Sequence, residues 1–117
     1  MGKFPARMFR WAAIYGVIVL APLYLTPMWD RNWEIFLGFV GLALVFQGVF
    51  WIIGGDPVKY RALMPLGVAE KCIFGLPALA LWAKGYPVVQ PVAAFAAIDV
   101  LLGLGFLLAW RSTPTSA

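Results

Sequence analysis

The chain has no histidine, a single cysteine and few charged residues, and each shortage narrows the chemistry open to it. Without histidine it lacks the commonest protein ligand of haem, zinc and non-haem iron, and the usual general base near neutral pH. Cys72 has no second thiol, so one chain can form neither a disulfide nor a thiolate metal cluster. We find no phosphate-binding glycine loop, nucleophile elbow or convincing internal repeat. The sequence therefore predicts no catalytic residue, no metal site and no cofactor.

Apolar residues are abundant. Of the 117 residues 63% are hydrophobic and 12% are charged, which is too apolar for a water-soluble domain of this size. A bilayer needs about 20 apolar residues per helix, and the chain has four such runs. We therefore predict an all-α fold, a single integral membrane four-helix bundle that occupies residues 1–117, with a disordered tail at 111–117. The predicted spans are residues 11–27, 35–53, 64–83 and 92–110.

Charge indicates the orientation of this bundle. The formal net charge of +4 comes mainly from residues that flank the predicted spans, so it indicates no nucleic-acid partner. On one side lie Lys3, Arg7, Arg10, Lys59, Arg61 and Arg111, and on the other only Arg31 and Lys84. The positive-inside rule then predicts that both termini are cytoplasmic. Tryptophans at the predicted span ends agree with this map, since tryptophan favours the membrane–water boundary.

The connection between the second and third spans has clear turn chemistry. Gly54 and Gly55 suit the end of a helix, and Asp56 followed by proline suits the start of the next. Helices two and three are therefore predicted to be an antiparallel pair. Because Pro65 interrupts the next apolar run, we expect residues 58–64 to form a short interfacial helix before a bend. The polar residues of this turn are candidates for contact with anionic lipid or a cytoplasmic partner: Asp56, Lys59, Tyr60 and Arg61.

Three ionisable residues lie within predicted spans, where each costs roughly 2.5–3.5 kcal/mol and marks a candidate functional site. At ~1.5 Å per residue, Lys71 and Asp99 reach similar depths from the same side, which predicts an ion pair between helices three and four. Glu70 points about 100° away from Lys71 around the helix, so we expect it to find another partner. Gln47 of helix two is the first candidate, as a donor to the Glu70 carboxyl, and Tyr15 or Tyr24 could supply a hydroxyl instead.

Two carboxylates and one ammonium leave this cluster one negative charge in excess, so we expect one carboxyl to be protonated at neutral pH, with Glu70 favoured. Two interpretations stay open. The cluster of Glu70, Lys71, Asp99 and Gln47 is either a proton or ligand site, or a set of polar contacts that only fixes which helices pack together.

In architecture the chain resembles the small DoxX-like bacterial membrane proteins. The resemblance lies in the four short helices, the turn from Asp56 to Arg61, the adjacent Glu70 and Lys71, and Asp99 in helix four. It implies a location in the bacterial inner membrane and a role as a subunit associated with membrane oxidoreductases or stress-response complexes.

Two function classes follow from the sequence. One is a non-enzymatic accessory or scaffold subunit that contacts the lipid bilayer and a protein partner. The other is a proton-coupled small-solute transporter or ligand-binding protein, active as a homo-oligomer, that uses the Glu70, Lys71 and Asp99 cluster.

Overall fold

A computed structural model describes residues 3–25, 33–88 and 90–115. Within these ranges the fold is all-α and contains no β-strand. The four long helices are α1 (Lys3–Leu20), α2 (Trp33–Gly55), α3 (Met64–Ala83) and α4 (Gln90–Ser112). Each of these helices is long and apolar enough to cross a membrane, and the first span includes the 3₁₀ helix that follows α1. The predicted all-α fold with four such helices is confirmed.

The ends of the first helix differ from the predicted span. α1 begins at Lys3, so its first turns carry the basic residues that were expected to precede the span. It continues as a 3₁₀ helix over Ala21–Leu25, a segment that contains Pro22. The predicted end of this span at Pro27 lies outside the described residues.

The connection from α2 to α3 is a capped turn. α2 ends at Gly55, and the Asp56 side chain accepts a hydrogen bond from the Lys59 backbone N–H at 3.3 Å. A 3₁₀ helix over Arg61–Leu63 then leads directly into α3, whose first turn contains Pro65. The predicted interfacial helix over 58–64 is therefore wrong in detail, because a turn and a 3₁₀ helix take its place. Proline is tolerated in a first helical turn, where its missing N–H has no partner to lose.

The end of α3 is fixed by a glycine. Gly85 has φ of +87°, and its N–H donates to Trp82 O at 3.0 Å, while the Tyr86 N–H donates to Leu81 O at 2.9 Å. This pair of bonds is the Schellman motif, which requires the left-handed conformation that glycine adopts without strain. The predicted chain break before α4 therefore has a defined geometry.

Helix pairing differs from the expectation. α1 packs mainly against α2 and α3 mainly against α4, with a smaller contact between α1 and α4. The contact between α2 and α3 is the least extensive of the four, although their connection is short. Small residues bring α3 and α4 together: a Cβ added at Gly75 would lie 2.8 Å from Ala96 O. We call the loosely packed boundary between α2 and α3 the α2–α3 seam.

An aromatic core joins the four helices at one end of the molecule. The rings of Phe9 and Phe106 stack with centroids 4.1 Å apart, and the Phe50 centroid lies 4.8 Å from that of Phe106. All three phenylalanines are fully buried. Gly67 of α3 lies against all three rings, since a Cβ there would be 3.1–3.3 Å from a ring atom of each. Glycine suits this position because a side chain here would be in tight contact with all three rings.

Two arginines hold helix ends near this core, at what we call the basic end. Arg10 donates from Nε to Trp51 O at 2.7 Å, and its guanidinium lies 3.8 Å from the centre of the Trp51 ring. Arg61 donates from Nε to Thr113 O at 2.8 Å, and its guanidinium lies 5.0 Å from the centre of the Trp110 ring. Arg61 thus gives a partner to the Thr113 carbonyl just beyond the end of α4, whereas Arg10 adds a side-chain donor to the Trp51 carbonyl, four residues before the end of α2.

The two helix pairs share this arrangement and its spacing. In both, a glycine six residues after the arginine faces a side chain four residues before the tryptophan. These residues are Gly16 and Gln47 in the first pair, and Gly67 and Phe106 in the second. No internal repeat is evident in the sequence, because the positions of the two helix pairs correspond at only these few residues and the correspondence depends on the packing.

The C-terminal segment is partly ordered. α4 runs to Ser112, and Thr113 is buried, with its hydroxyl donating to Ala109 O at 2.6 Å. Residues 111–113 are therefore part of the fold rather than the start of a disordered tail. Residues 116–117 lie outside the described part of the chain.

Candidate functional site

The ionisable residues of α3 and α4 meet in one cluster. Lys71 Nζ lies 3.6 Å from Glu70 Oε1 and 4.0 Å from Asp99 Oδ1. The Lys71 side chain is only 4% exposed, whereas those of Glu70 and Asp99 are 19% and 22% exposed. The ammonium is therefore enclosed, and the Glu70 and Asp99 side chains are partly exposed, although Glu70 Oε1 itself is buried.

Lys71 reaches three helices from a closely packed position. A Cβ added at Gly103 of α4 would lie 3.3 Å from Lys71 Cβ, so the glycine lets the lysine stem lie against α4. The ammonium lies 5.2 Å from the centre of the Phe50 ring of α2, within the range of a cation–π interaction. The predicted pair with Asp99 is present, and Phe50 adds a contact that the sequence did not suggest.

The expected partners of Glu70 are wrong. The lysine side chain is long enough to bring its ammonium back to Glu70, so a separation of 100° at the backbone does not keep the two groups apart. Gln47 does not donate to Glu70, because its Nε2 donates to Ala43 O of its own helix at 2.7 Å. Tyr24 lies near the outer half of α2, where a Cβ added at Gly41 would be 3.0 Å from its hydroxyl.

Three polar atoms near this level lack hydrogen-bond partners among the described residues. They are the Tyr15 hydroxyl, Gln47 Oε1 and Glu70 Oε1. Gln47 is 1% exposed and faces Gly16 of α1. Buried polar atoms without a hydrogen bond are uncommon in proteins. We call Tyr15, Gln47, Glu70, Lys71 and Asp99 the polar layer, which has at least one residue from every helix.

The residues of the turn between α2 and α3 have separate roles. Asp56 caps the turn, Tyr60 packs against the aromatic core, and Arg61 is engaged with Trp110 and Thr113. Asp56 and Lys59 are both exposed and make no ion pair in the described structure, and the Lys59 ammonium lies 5.4 Å from the centre of the Tyr60 ring. Contact of this turn with lipid or a partner stays a prediction.

The cluster offers few groups for metal binding. In the ranges 3–25, 33–88 and 90–115, no set of three or more His, Cys, Asp or Glu side chains is placed to hold a metal ion. Cys72 is a free thiol against α4, where a Cβ at Gly103 would lie 3.5 Å from its sulfur. The arrangement is suited to proton exchange, to binding a single positive charge or to holding helices together.

No family model, curated protein or solved structure matches the chain. The fold and the site therefore define its class. Four long apolar helices with a polar layer between them make this a multi-pass helical membrane protein.

Proposed function

We propose that the protein is a non-enzymatic accessory or scaffold subunit of a membrane complex. The observation that carries this proposal is the position of Lys71, whose ammonium is enclosed and contacts side chains of α2, α3 and α4. Polar side chains in membrane bundles commonly join helices in this way. Arg10 and Arg61 serve a similar purpose at the basic end, since each reaches a backbone carbonyl and a tryptophan ring of another segment.

The basic end supports an orientation with both termini in the cytoplasm. α1 starts there, α4 ends there, and the arginine contacts place the end of α2 and the start of α3 beside them. Lys84 lies at the opposite end, after α3. This distribution favours the positive-inside orientation, in a bacterial inner membrane as the resemblance to DoxX-like proteins implies.

The surface favours partners within the bilayer. The outward face of α2 carries large exposed apolar side chains, which lipid or the helices of another membrane protein would cover: Ile35, Leu42, Val45 and Ile52. At the basic end, exposed basic side chains are available to contact a soluble segment of the same partner: Lys3, Arg7, Lys59 and Arg111. By the DoxX-like resemblance, that partner belongs to a membrane oxidoreductase or stress-response complex.

The test is the composition of the complex after mild extraction from its native membrane, measured by native mass spectrometry. We expect a second protein in stoichiometric amount. We also expect Lys59→Gln to lower its recovery, while Lys84→Gln at the other end leaves it unchanged. A homo-oligomer that carries only lipid would refute the accessory role.

A second function is favoured by the partial exposure of the two carboxylates around an enclosed ammonium. In this alternative the protein is a proton-coupled small-solute transporter or ligand-binding protein, and Lys71 pairs in turn with Glu70 and Asp99. Glu70→Gln would abolish such an activity in proteoliposomes and would leave recovery of a partner subunit nearly unchanged. An infrared spectrum without a protonated carboxyl band at pH 7 would argue against the proton-coupled form.

A further inference from the structure

The Glu70 carboxylate lies on the flank of α3 that borders the α2–α3 seam. Leu66, Glu70 and Phe74 share this flank, because residues four apart lie above one another on a helix. Phe74 contacts Phe39 of α2, with ring centroids 6.0 Å apart, and Leu66 and Phe39 are 56% and 46% exposed. The seam is therefore open on its outer side at the level of the carboxylate.

Aromatic rings lie on both sides of Glu70 along the seam. α2 and α3 run in opposite directions, and Phe39 of α2 is level with Phe74 of α3. Glu70 lies one turn before Phe74, so it is level with Ala43, which lies one turn after Phe39. Phe46 follows on the same face of α2, and its centroid lies 6.0 Å from that of Phe50. This register sets Glu70 level with Ala43, a small residue that lies between Phe39 and Phe46 along α2.

The charges in this seam select the sign of a ligand. The one nearby ammonium, that of Lys71, is enclosed and lies between two carboxylates, so release of the proton expected on Glu70 leaves the cluster with one excess negative charge. Glu70 Oε1 lies 3.6 Å from the Lys71 ammonium and makes no hydrogen bond among the described residues. A cation in this seam would be attracted by the negative charge of the carboxylate and by the quadrupoles of the neighbouring aromatic rings.

We propose that the α2–α3 seam binds a lipophilic organic cation, of the quaternary or protonated amine type, with its positive charge at Glu70 and its apolar groups against Phe39 and Phe74. Inorganic ions fit less well, since hard cations take six or more oxygen ligands and the described residues gather no set of three acidic side chains. The site deepens the second function above, and binding at equilibrium requires neither transport nor a partner subunit.

The experiment measures binding of benzyltrimethylammonium to the full chain in lipid nanodiscs by isothermal titration calorimetry. This probe is permanently charged, and neopentylbenzene is its neutral isostere. We expect saturable binding of the cation and at least tenfold weaker binding of the isostere. Glu70→Gln should weaken cation binding at least tenfold, whereas Glu34→Gln, an exposed carboxylate at the start of α2, should leave it unchanged.

A second pair of variants keeps the test valid if Glu70→Gln does not fold. Phe74→Leu should weaken binding of the cation about three- to tenfold, because it removes one ring face. Phe4→Leu, at a 38% exposed position at the start of α1, should have no effect. Equal binding of the neutral isostere, unchanged binding in Glu70→Gln and Phe74→Leu, or no saturable binding would each overturn the proposal. Loss of transport with binding retained would refute only the transport function.

Discussion

Replacing Lys71 with methionine tests whether the enclosed ammonium holds the helices together. Methionine keeps the length and flexibility of the lysine stem and removes its charge. The change deletes the contact with Asp99 of α4 at 4.0 Å and the contact with the Phe50 ring of α2 at 5.2 Å. The contact with Glu70 contributes little to helix association, because both residues belong to α3 and stay neighbours when the helices separate.

The magnitude follows from these two contacts. Unit charges 4 Å apart attract by about 4 kcal/mol at an effective dielectric constant of 20, but burial of the ammonium opposes this with several kcal/mol. Measured polar contacts between membrane helices average about 0.6 and reach about 1.7 kcal/mol. A cation–π contact adds about 0.5–1 kcal/mol. We therefore expect Lys71→Met to lower the free energy of unfolding by about 2 kcal/mol.

The assay is SDS-induced unfolding from mixed micelles, applied to a double-mutant cycle of Lys71→Met with Asp99→Asn. We expect a coupling energy of about 1 kcal/mol between the two sites. Lys84→Met, which removes an exposed lysine beyond the end of α3, is the matched control and should change stability by less than about 0.5 kcal/mol. A coupling energy near zero would show that the pair does not stabilise the bundle.

Three further predictions concern packing, capping and water access. Gly67→Ala should destabilise the protein by about 1–3 kcal/mol in the same unfolding assay, because the added methyl would lie 3.1–3.3 Å from ring atoms of the aromatic core. Arg61→Gln should lower stability by about 1–2 kcal/mol, because it removes the hydrogen bond to the carbonyl beyond the end of α4 and the contact with a tryptophan ring. Cys72 should react slowly with a membrane-impermeant maleimide in the folded protein and rapidly in SDS, because its sulfur packs against α4 within an apolar span.

Each of these predictions has a control or a refuting result. Gly48→Ala is the control for the core glycine, since nothing lies within 4 Å of a Cβ there, and equal effects at the two sites would contradict the packing argument. Lys59→Gln is the control for removing a positive charge near Arg61. If it lowers the free energy of unfolding as much as Arg61→Gln does, charge alone accounts for the effect. Rapid labelling of the folded Cys72 thiol would show that water reaches the polar layer.

Depth along a helix was predictable from the sequence, while side-chain direction was not. Lys71 and Asp99 were matched in depth by the rise per residue, and they do form an ion pair. Glu70 was expected to turn away from Lys71, yet their charged atoms lie 3.6 Å apart. The backbone angle between neighbouring residues limits short side chains, but the four-carbon stem of lysine reaches around the helix.

The partner of Gln47 shows the same limit. Its amide could have reached several acceptors, and the structure uses the Ala43 carbonyl on its own helix. Gly16 was seen in the sequence as a small residue on α1, and only the packing reveals that it makes room for the Gln47 side chain. Polar side chains in a membrane interior take the nearest available partner, and that partner depends on which helices are neighbours.

The sequence was sufficient to predict the four apolar helices, the capping chemistry of Asp56 and the common depth of Lys71 and Asp99. These properties are local, since they depend on hydrophobic length, on the dihedral preferences of single residues and on a constant helical rise. The tertiary structure alone decided that α1 pairs with α2 and α3 with α4, that three phenylalanines meet at Gly67, and that a seam opens beside Glu70. Those features arise from side-chain volumes that must fit across helices far apart in the chain, and no pattern within one helix specifies that fit.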